Sequence, residues 1–251
     1  KGFPPLTGVE VVDVAIIGGG IFGLSAALEL RKAGKSVCVC ERKTIGAGET
    51  GLSTAHLTEV LDMRYSEVIA RYGESKAQTI FDSHHRAIQL IEKRVQVEKL
   101  ECGFHRVPGF IYTETNDDLE SMEKELASLV RLGVPATRVG EIPLPFAIKT
   151  AIEVSNQAQL DPVRYLQGLL TVARMEGVRI YENTPVTDLN DGDPCVLTCE
   201  LGHVQAKTVI EATHVPVFNR VRMHTKLAAY RSYVIAARVQ NVDENVGLFW
   251  D

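Results

Sequence analysis

Six consecutive residues near the start of the chain have the types and spacing of a phosphate-binding turn. Gly18 to Gly23 read GGGIFG and fit the pattern GxGxxG, with Ile21 and Phe22 at its variable positions. In this pattern the first glycine permits a tight turn, the second lets the backbone approach a diphosphate, and the third lets a helix pack closely on a strand. A helix that begins here directs free N–H groups and a partial positive charge at the phosphates. The pattern therefore predicts a dinucleotide-binding turn that uses Gly18, Gly20 and Gly23.

A carboxylate and a second glycine-rich loop add to this prediction. Glu41 lies about twenty residues beyond the first glycine, where the pattern places an acid that accepts hydrogen bonds from ribose hydroxyls. An acid at this position favours FAD or NAD over NADP. The next loop contains Gly46, Gly48 and Gly51, which allow a second close backbone approach and favour the longer flavin dinucleotide. NAD binding, or a flexible glycine-rich surface loop, remains the alternative.

A strand–helix–strand unit would position these residues. Residues 11–17 are apolar and largely β-branched, as in a strand that is buried on both faces of a parallel sheet. Apolar residues at helical spacing follow over 21–33, and a second short strand covers 36–40. Such a unit is a right-handed crossover in a parallel sheet, which we expect a late apolar strand at 208–212 to rejoin.

The middle of the chain changes character twice. The loop at 46–51 is expected to lead into a helix that reaches about Val60, and residues 66–101 are strongly helical. Residues 103–153 are typical of a strand, an amphipathic helix and another strand, which indicates an inserted α+β region. Helical spacing returns from Leu160 to Gly177, and short strands follow.

Composition and charge limit the classes of function. Of the 251 residues, 45% are hydrophobic and 24% charged, as in ordinary globular proteins. Lys and Arg number 27 against 32 Asp and Glu, so the net charge is −5 and neither nucleic acid nor an anionic membrane is an expected partner. The longest uncharged stretch, 14–28, is too short for a bilayer span. Five cysteines without a CxxC pair predict neither a metal site nor a disulfide framework, and a cytoplasmic location is expected.

Several segments of the chain resemble one family of flavoenzymes. DVAIIGGGIFGLSAALELRKAG, VCVCER, the GAG…STA loop and TVIEAT resemble the FAD-dependent oxidoreductases typified by D-amino-acid oxidase, glycine oxidase and sarcosine oxidase. EATHVP and YRSYVIA resemble a bacterial branch whose members carry a C-terminal Rieske iron–sulfur domain. The resemblance implies an α/β fold with a Rossmann-like, three-layer FAD/NAD(P)-binding domain at 1–101 plus 154–216. It also implies an inserted α+β substrate domain at 102–153 plus 217–251, in a chain truncated at its C-terminal side.

The implied FAD contacts lie in the glycine turn, in the second glycine loop, at the adenosine, at the flavin ring and beneath the cofactor. They are Gly18, Gly20, Ile21, Phe22 and Gly23 in the turn; Gly48 and Gly51 in the second loop, with Thr50 near the phosphates; Glu41 and Arg42 at the adenosine, with the Val186 backbone at adenine; Thr54, Ala55 and His56 near the flavin ring; and Ala212 with Thr213 packed against the cofactor.

The resemblance further implies oxidation of a C–N bond of an amine or amino acid, with hydride transfer to the flavin. It identifies no catalytic residue. His56 near the ring, and Arg231 with Tyr233 on one face of an expected strand, are the candidates. An NAD-linked dehydrogenase, and a cofactor-free fragment or subunit that acts by binding a partner, are the alternative hypotheses. A further C-terminal segment or a Rieske domain is the partner that the resemblance adds.

Overall fold

The glycine turn joins the first strand to the first helix, as predicted. In the computed structural model, which describes residues 2–54, 56–218 and 247–251, strand β1 spans Gly8–Ile17, helix α1 Ile21–Lys32 and strand β2 Val37–Cys40. β1 and β2 are parallel. All four residues of β2 are buried, as expected for a strand that is covered on both faces.

These two strands belong to a six-stranded sheet. The other members are β7 (Arg179–Tyr181), β8 (Val186–Asn190), β9 (Cys195–Cys199) and β10 (Gly202–Glu211), in the order β7-β2-β1-β10-β9-β8. β10 lies parallel to β1, which confirms the predicted return of the chain at 208–212. β8 and β9 are antiparallel to their neighbours.

Helices and the antiparallel strands both contribute to the core around this sheet. Helix α5 (Pro162–Met175) contacts α1, whose Leu24 and Leu28 are fully buried. Leu197 of β9 and Val204 of β10 pack in one cluster with buried side chains of β1 and β2. The mixed sheet with its helices confirms the predicted α/β class.

A second sheet forms from the middle and the end of the chain. Its strands are β3 (His56–Leu57), β4 (His105–Thr113), β5 (Ala136–Val139), β6 (Thr150–Gln159) and β11 (Leu248–Trp250). β6 is central and pairs with β3, β4 and β5, whereas β11 pairs with β4. Helices α2 (Tyr65–Tyr72), α3 (Glu74–Glu98) and α4 (Leu119–Arg131) contribute buried side chains to the core on this sheet.

The two sheets define two units whose bounds differ from the predicted domains. Of the described residues, 2–54 and 162–218 form the first unit, and 56–161 and 247–251 form the second. The prediction had placed 56–101 and 154–161 in the first domain and 217–218 in the second. Tyr65, Ala77 and Phe81 of α2 and α3 instead pack with Ile152 and Val154 of β6, so these elements fold with the second sheet.

The predicted helix that reaches Val60 is wrong. A short 3-10 helix covers Glu49–Leu52, the backbone is extended at Ser53, and β3 follows. Gln157, which is fully buried, accepts hydrogen bonds from the Thr58 hydroxyl and the Glu59 N–H, and these bonds hold the segment beside β6. The helical region predicted for 66–101 is divided at Gly73, where φ is +85°.

Among the described residues, no helix is both long enough and apolar enough to cross a bilayer.

Candidate functional site

A cavity of about 750 Å³ opens in the first unit where β1, β2 and β10 end. Open parallel sheets bind their ligands at this carboxyl edge. Ile17, Gly18, residues 20–22 of the glycine turn, and residues 40–43, 46–50 and 53 line one part of the cavity. Residues 184–186 and 212–217 line the rest. The cavity volume lies in the range of small-molecule and cofactor sites.

Two glycines of the turn are required by close backbone contacts. Gly18 has φ +110°, and a Cβ atom there would lie 2.5 Å from the Ala212 carbonyl oxygen. A Cβ atom on Gly23 would lie 2.1 Å from the Gly18 carbonyl oxygen. The turn therefore packs against the end of β10 on one side and against the start of α1 on the other, as the glycine pattern requires.

The N-terminus of α1 is directed at the cavity with little capping. Gly20 is the N-cap and the first turn contains no acidic residue. The Ile21 N–H donates to the Thr50 hydroxyl at 3.1 Å, and the described residues offer no acceptor for the next amide, that of Phe22. A Cβ atom on Gly20 would contact only the Thr50 hydroxyl, at 3.2 Å, so the side of Gly20 that lines the cavity is open. An anion can approach the backbone here.

Glu41, which directly follows β2, binds the backbone of the glycine turn. Its carboxylate accepts the Gly19 N–H and the Lys43 N–H, each at 2.8 Å. Glu41 is half-buried and lines the cavity. Because a carboxylate can accept about four hydrogen bonds, two backbone bonds leave capacity for the hydroxyls of a sugar.

Two residues that the sequence analysis missed hold the cavity wall in place. Glu182 is buried, and its carboxylate accepts the Ile45 N–H and the Phe3 N–H, each at 2.8 Å. Thr184 is also buried; its N–H donates to the Glu41 carbonyl, and its hydroxyl donates to the Glu182 carbonyl. These bonds fix the loop after β2. The only sequence signal for Glu182 is that an acid directly follows a short strand, β7.

Most of the predicted cofactor residues line this one cavity. They are Gly18, Gly20, Ile21, Phe22, Glu41, Arg42, Gly48, Thr50, Val186, Ala212 and Thr213. Lys43 and His214 also line it and were not predicted. Arg42 and Lys43 are exposed cations at the end of β2, which suits an anionic ligand.

The remaining predicted residues lie elsewhere. Gly23 is buried beneath the turn, and neither Gly51 nor Thr54 is among the residues that line the cavity. His56 belongs to the second unit, where its ring packs against the Trp250 ring in a T-shaped arrangement, and partial burial lowers the pKa of the imidazole. Ala55, Arg231 and Tyr233 lie outside the described residues.

Comparison with known proteins identifies the family. The profile of the DAO family, described as FAD dependent oxidoreductase, matches residues 13–248. YhfW of Bacillus subtilis, whose name describes a Rieske 2Fe-2S iron–sulfur protein, is 31% identical over 94% of this chain and 47% of its own length. The gamma-glutamylputrescine oxidoreductase of Escherichia coli is 30% identical over 80% of this chain and 48% of its own length.

A solved structure confirms the fold. The crystal structure of glycine oxidase from Geobacillus kaustophilus superposes with a TM-score of 0.70 at 21% identity, over 81% of this chain and 55% of that one. The chain spans about half the length of each of these relatives. Because the profile match covers nearly the whole chain, this protein belongs to the DAO family of FAD-dependent oxidoreductases.

Proposed function

We propose that the cavity of the first unit binds FAD, and that the protein uses the cofactor to oxidise a C–N bond of an amine or amino acid. The observation that carries the proposal is the arrangement around α1: an open helix N-terminus, Gly20 with space beside it, and the carboxylate of Glu41 directly after β2, all at one cavity. Family membership favours FAD over the NAD alternative.

The residues of the cavity fit the cofactor in chemical type. The amides at the start of α1, with Gly20, would hold the diphosphate, and the Arg42 and Lys43 cations would offset its charge. Glu41 would accept hydrogen bonds from the ribose of the adenosine. Val186, Ala212 and Thr213 would pack against the cofactor from the opposite wall.

The reaction class rests on chemistry that FAD supplies when bound, namely acceptance of a hydride. The substrate would lose this hydride from the carbon that bears the nitrogen and a proton from the nitrogen, and water would hydrolyse the resulting imine. Relatives named for glycine and for gamma-glutamylputrescine support an amine or amino-acid substrate. His56, Arg231 and Tyr233 remain proposed substrate-side residues.

A titration of the purified chain tests the proposal. FAD is added while flavin fluorescence and the visible absorption spectrum are recorded, and NAD is titrated separately under the same conditions. We expect saturable FAD binding that survives desalting, and no comparable NAD binding. Failure to bind either dinucleotide would leave the hypothesis of a cofactor-free binding module.

A further inference from the structure

One histidine in the cavity wall has an unusual backbone conformation. His214 has φ +65°, in the left-handed region that non-glycine residues rarely adopt. The Val215 N–H donates to the Thr213 carbonyl at 2.7 Å, so His214 is the central residue of a three-residue turn. With a positive φ at its centre, such a turn is rare and strained.

The surrounding contacts hold this turn in place. The Thr213 hydroxyl donates to the Val215 carbonyl at 2.9 Å and contacts the Glu211 carboxylate at 3.2 Å. The same Glu211 oxygen accepts the N–H groups of Val217 and Phe218. Strained residues that are held by their surroundings concentrate at ligand sites. The conformation of His214 therefore points to a role in the cavity that it lines.

The turn places His214 in the wall that adjoins the glycine turn. Ala212 donates its N–H to the Ile17 carbonyl at 2.8 Å, and its own carbonyl oxygen is the atom that excludes a Cβ on Gly18. His214 follows two residues later, is exposed, and lines the same cavity.

We propose that the imidazole of His214 contacts the diphosphate of the bound dinucleotide, and that its protonation tightens binding. The inference rests on the proposed FAD site. A protonated imidazole adds a cation and a charged donor beside two phosphate charges. The other charged groups that line the cavity are Glu41, Arg42, Lys43 and Glu49, and Glu211 at the end of β10 binds the amides that follow the turn.

The test compares FAD affinity at about pH 5.5 and about pH 8, on either side of the usual histidine pKa. The diphosphate of FAD is a diester whose charge is constant over this range, so the ligand adds no titration of its own. We expect the wild-type chain to bind FAD about tenfold more tightly at the lower pH, where a protonated imidazole adds a cation beside the diphosphate. In His214→Asn the ratio should be close to one, since asparagine tolerates a positive φ and carries no charge.

A histidine within β10 gives the matched control. His203 pairs with Thr198 and is not among the residues that line the cavity, so His203→Asn should keep the wild-type response to pH. The same response in wild type and His214→Asn would overturn the proposal while leaving the FAD site intact. Absence of FAD binding to the wild-type chain at both pH values would overturn the inference together with the proposed function. The melting temperatures of the three proteins report whether each variant is folded.

Discussion

Helices α1 and α2 present the same chemical problem at their N-termini and solve it differently. Each begins with backbone N–H groups that have no acceptor within the helix. α1 begins at the cavity of the first unit, and α2 begins in the core of the second. The way in which each set of amides is satisfied separates a site that is built for stability from a site that is open to a ligand.

The protein itself completes the start of α2. Glu125, from α4, is 3% exposed, and its two carboxylate oxygens accept the N–H groups of Tyr65 and Ser66, each at 2.9 Å. The negative charge also offsets the partial positive charge of the helix end. No ligand is needed here, because a side chain supplies both the acceptors and the charge.

At the start of α1, a side chain supplies one acceptor and no charge. A neutral hydroxyl, that of Thr50, accepts the first amide, and the first turn contains no acid. The glycines bring the backbone to the cavity surface, so an anion from outside the protein can supply what Glu125 supplies to α2. The difference between the two helices is therefore a difference between an internal carboxylate and a proposed diphosphate.

The largest expected effect comes from closing the open N-terminus with a side chain. In Gly20→Val the branched side chain would occupy the space that we assign to the diphosphate, and FAD affinity should fall at least about a hundredfold, or about 2.7 kcal/mol. Fluorescence titration with FAD measures this, and circular dichroism shows that the fold is kept.

Gly140→Val is the matched control, because a Cβ atom at Gly140 meets nothing within 4 Å and the residue is in the second unit. Affinity close to that of the wild type in Gly20→Val would place the diphosphate elsewhere.

Removing the internal carboxylate should act on stability instead. In Glu125→Gln only one amide oxygen can accept a hydrogen bond, and the side-chain NH₂ would face the other buried N–H, so we expect a loss of about 3 kcal/mol in the free energy of unfolding. Urea denaturation measures this loss.

The control for Glu125 lies on the same helix. Glu123 is exposed and pairs with Arg138 at the surface, where ion pairs contribute little, so Glu123→Gln should lose much less stability. Equal losses in the two variants would show that the start of α2 does not depend on the carboxylate.

Glu41→Ala should weaken FAD binding by about 1.5–3 kcal/mol, the range for a hydrogen bond to a charged group. Glu49→Ala is the matched control, because it removes the same charge from the same cavity. It should bind FAD as tightly as the wild type or more so. If the two variants have the same affinity, Glu41 does not act on the ribose.

Local sequence patterns predicted the half of the site that is built from neighbouring residues. β1, α1 and β2 follow from apolar periodicity, and Gly18 and Gly23 follow from the close contacts that the glycine pattern describes. The two strands, the helix and the contact of Gly23 with the Gly18 carbonyl involve residues within about thirty positions of one another, so one segment contains the necessary information. The contact of Gly18 with Ala212 is distant in sequence, but the glycine pattern still predicts that the position tolerates no side chain.

The remaining features depend on partners far apart in the sequence. Glu182 binds the amide of Ile45, which is 137 residues away, and Gln157 binds that of Glu59, 98 residues away. The latter contact lies in the segment after the glycine-rich loop, for which a helix up to Val60 was wrongly predicted. No local sequence pattern predicts the partner of a buried acid or amide, because the backbone N–H groups that it binds can come from any part of the chain that the fold places beside it.

The smallest effect concerns Thr50, the one side chain that caps the first amide of α1. Thr50→Val keeps the shape and removes the hydroxyl, so the chain without FAD should lose about 1 kcal/mol of unfolding free energy, as for other N-terminal capping groups. Thr54→Val, at an exposed position a few residues later, should change nothing measurable by urea denaturation. A loss in Thr50→Val as large as that in Glu125→Gln would contradict the comparison, because α1 would then be closed by the protein as completely as α2. A loss in Thr50→Val well below that in Glu125→Gln would mean that the protein stabilises the start of α1 only weakly, so that a bound diphosphate can add most of the stabilisation there.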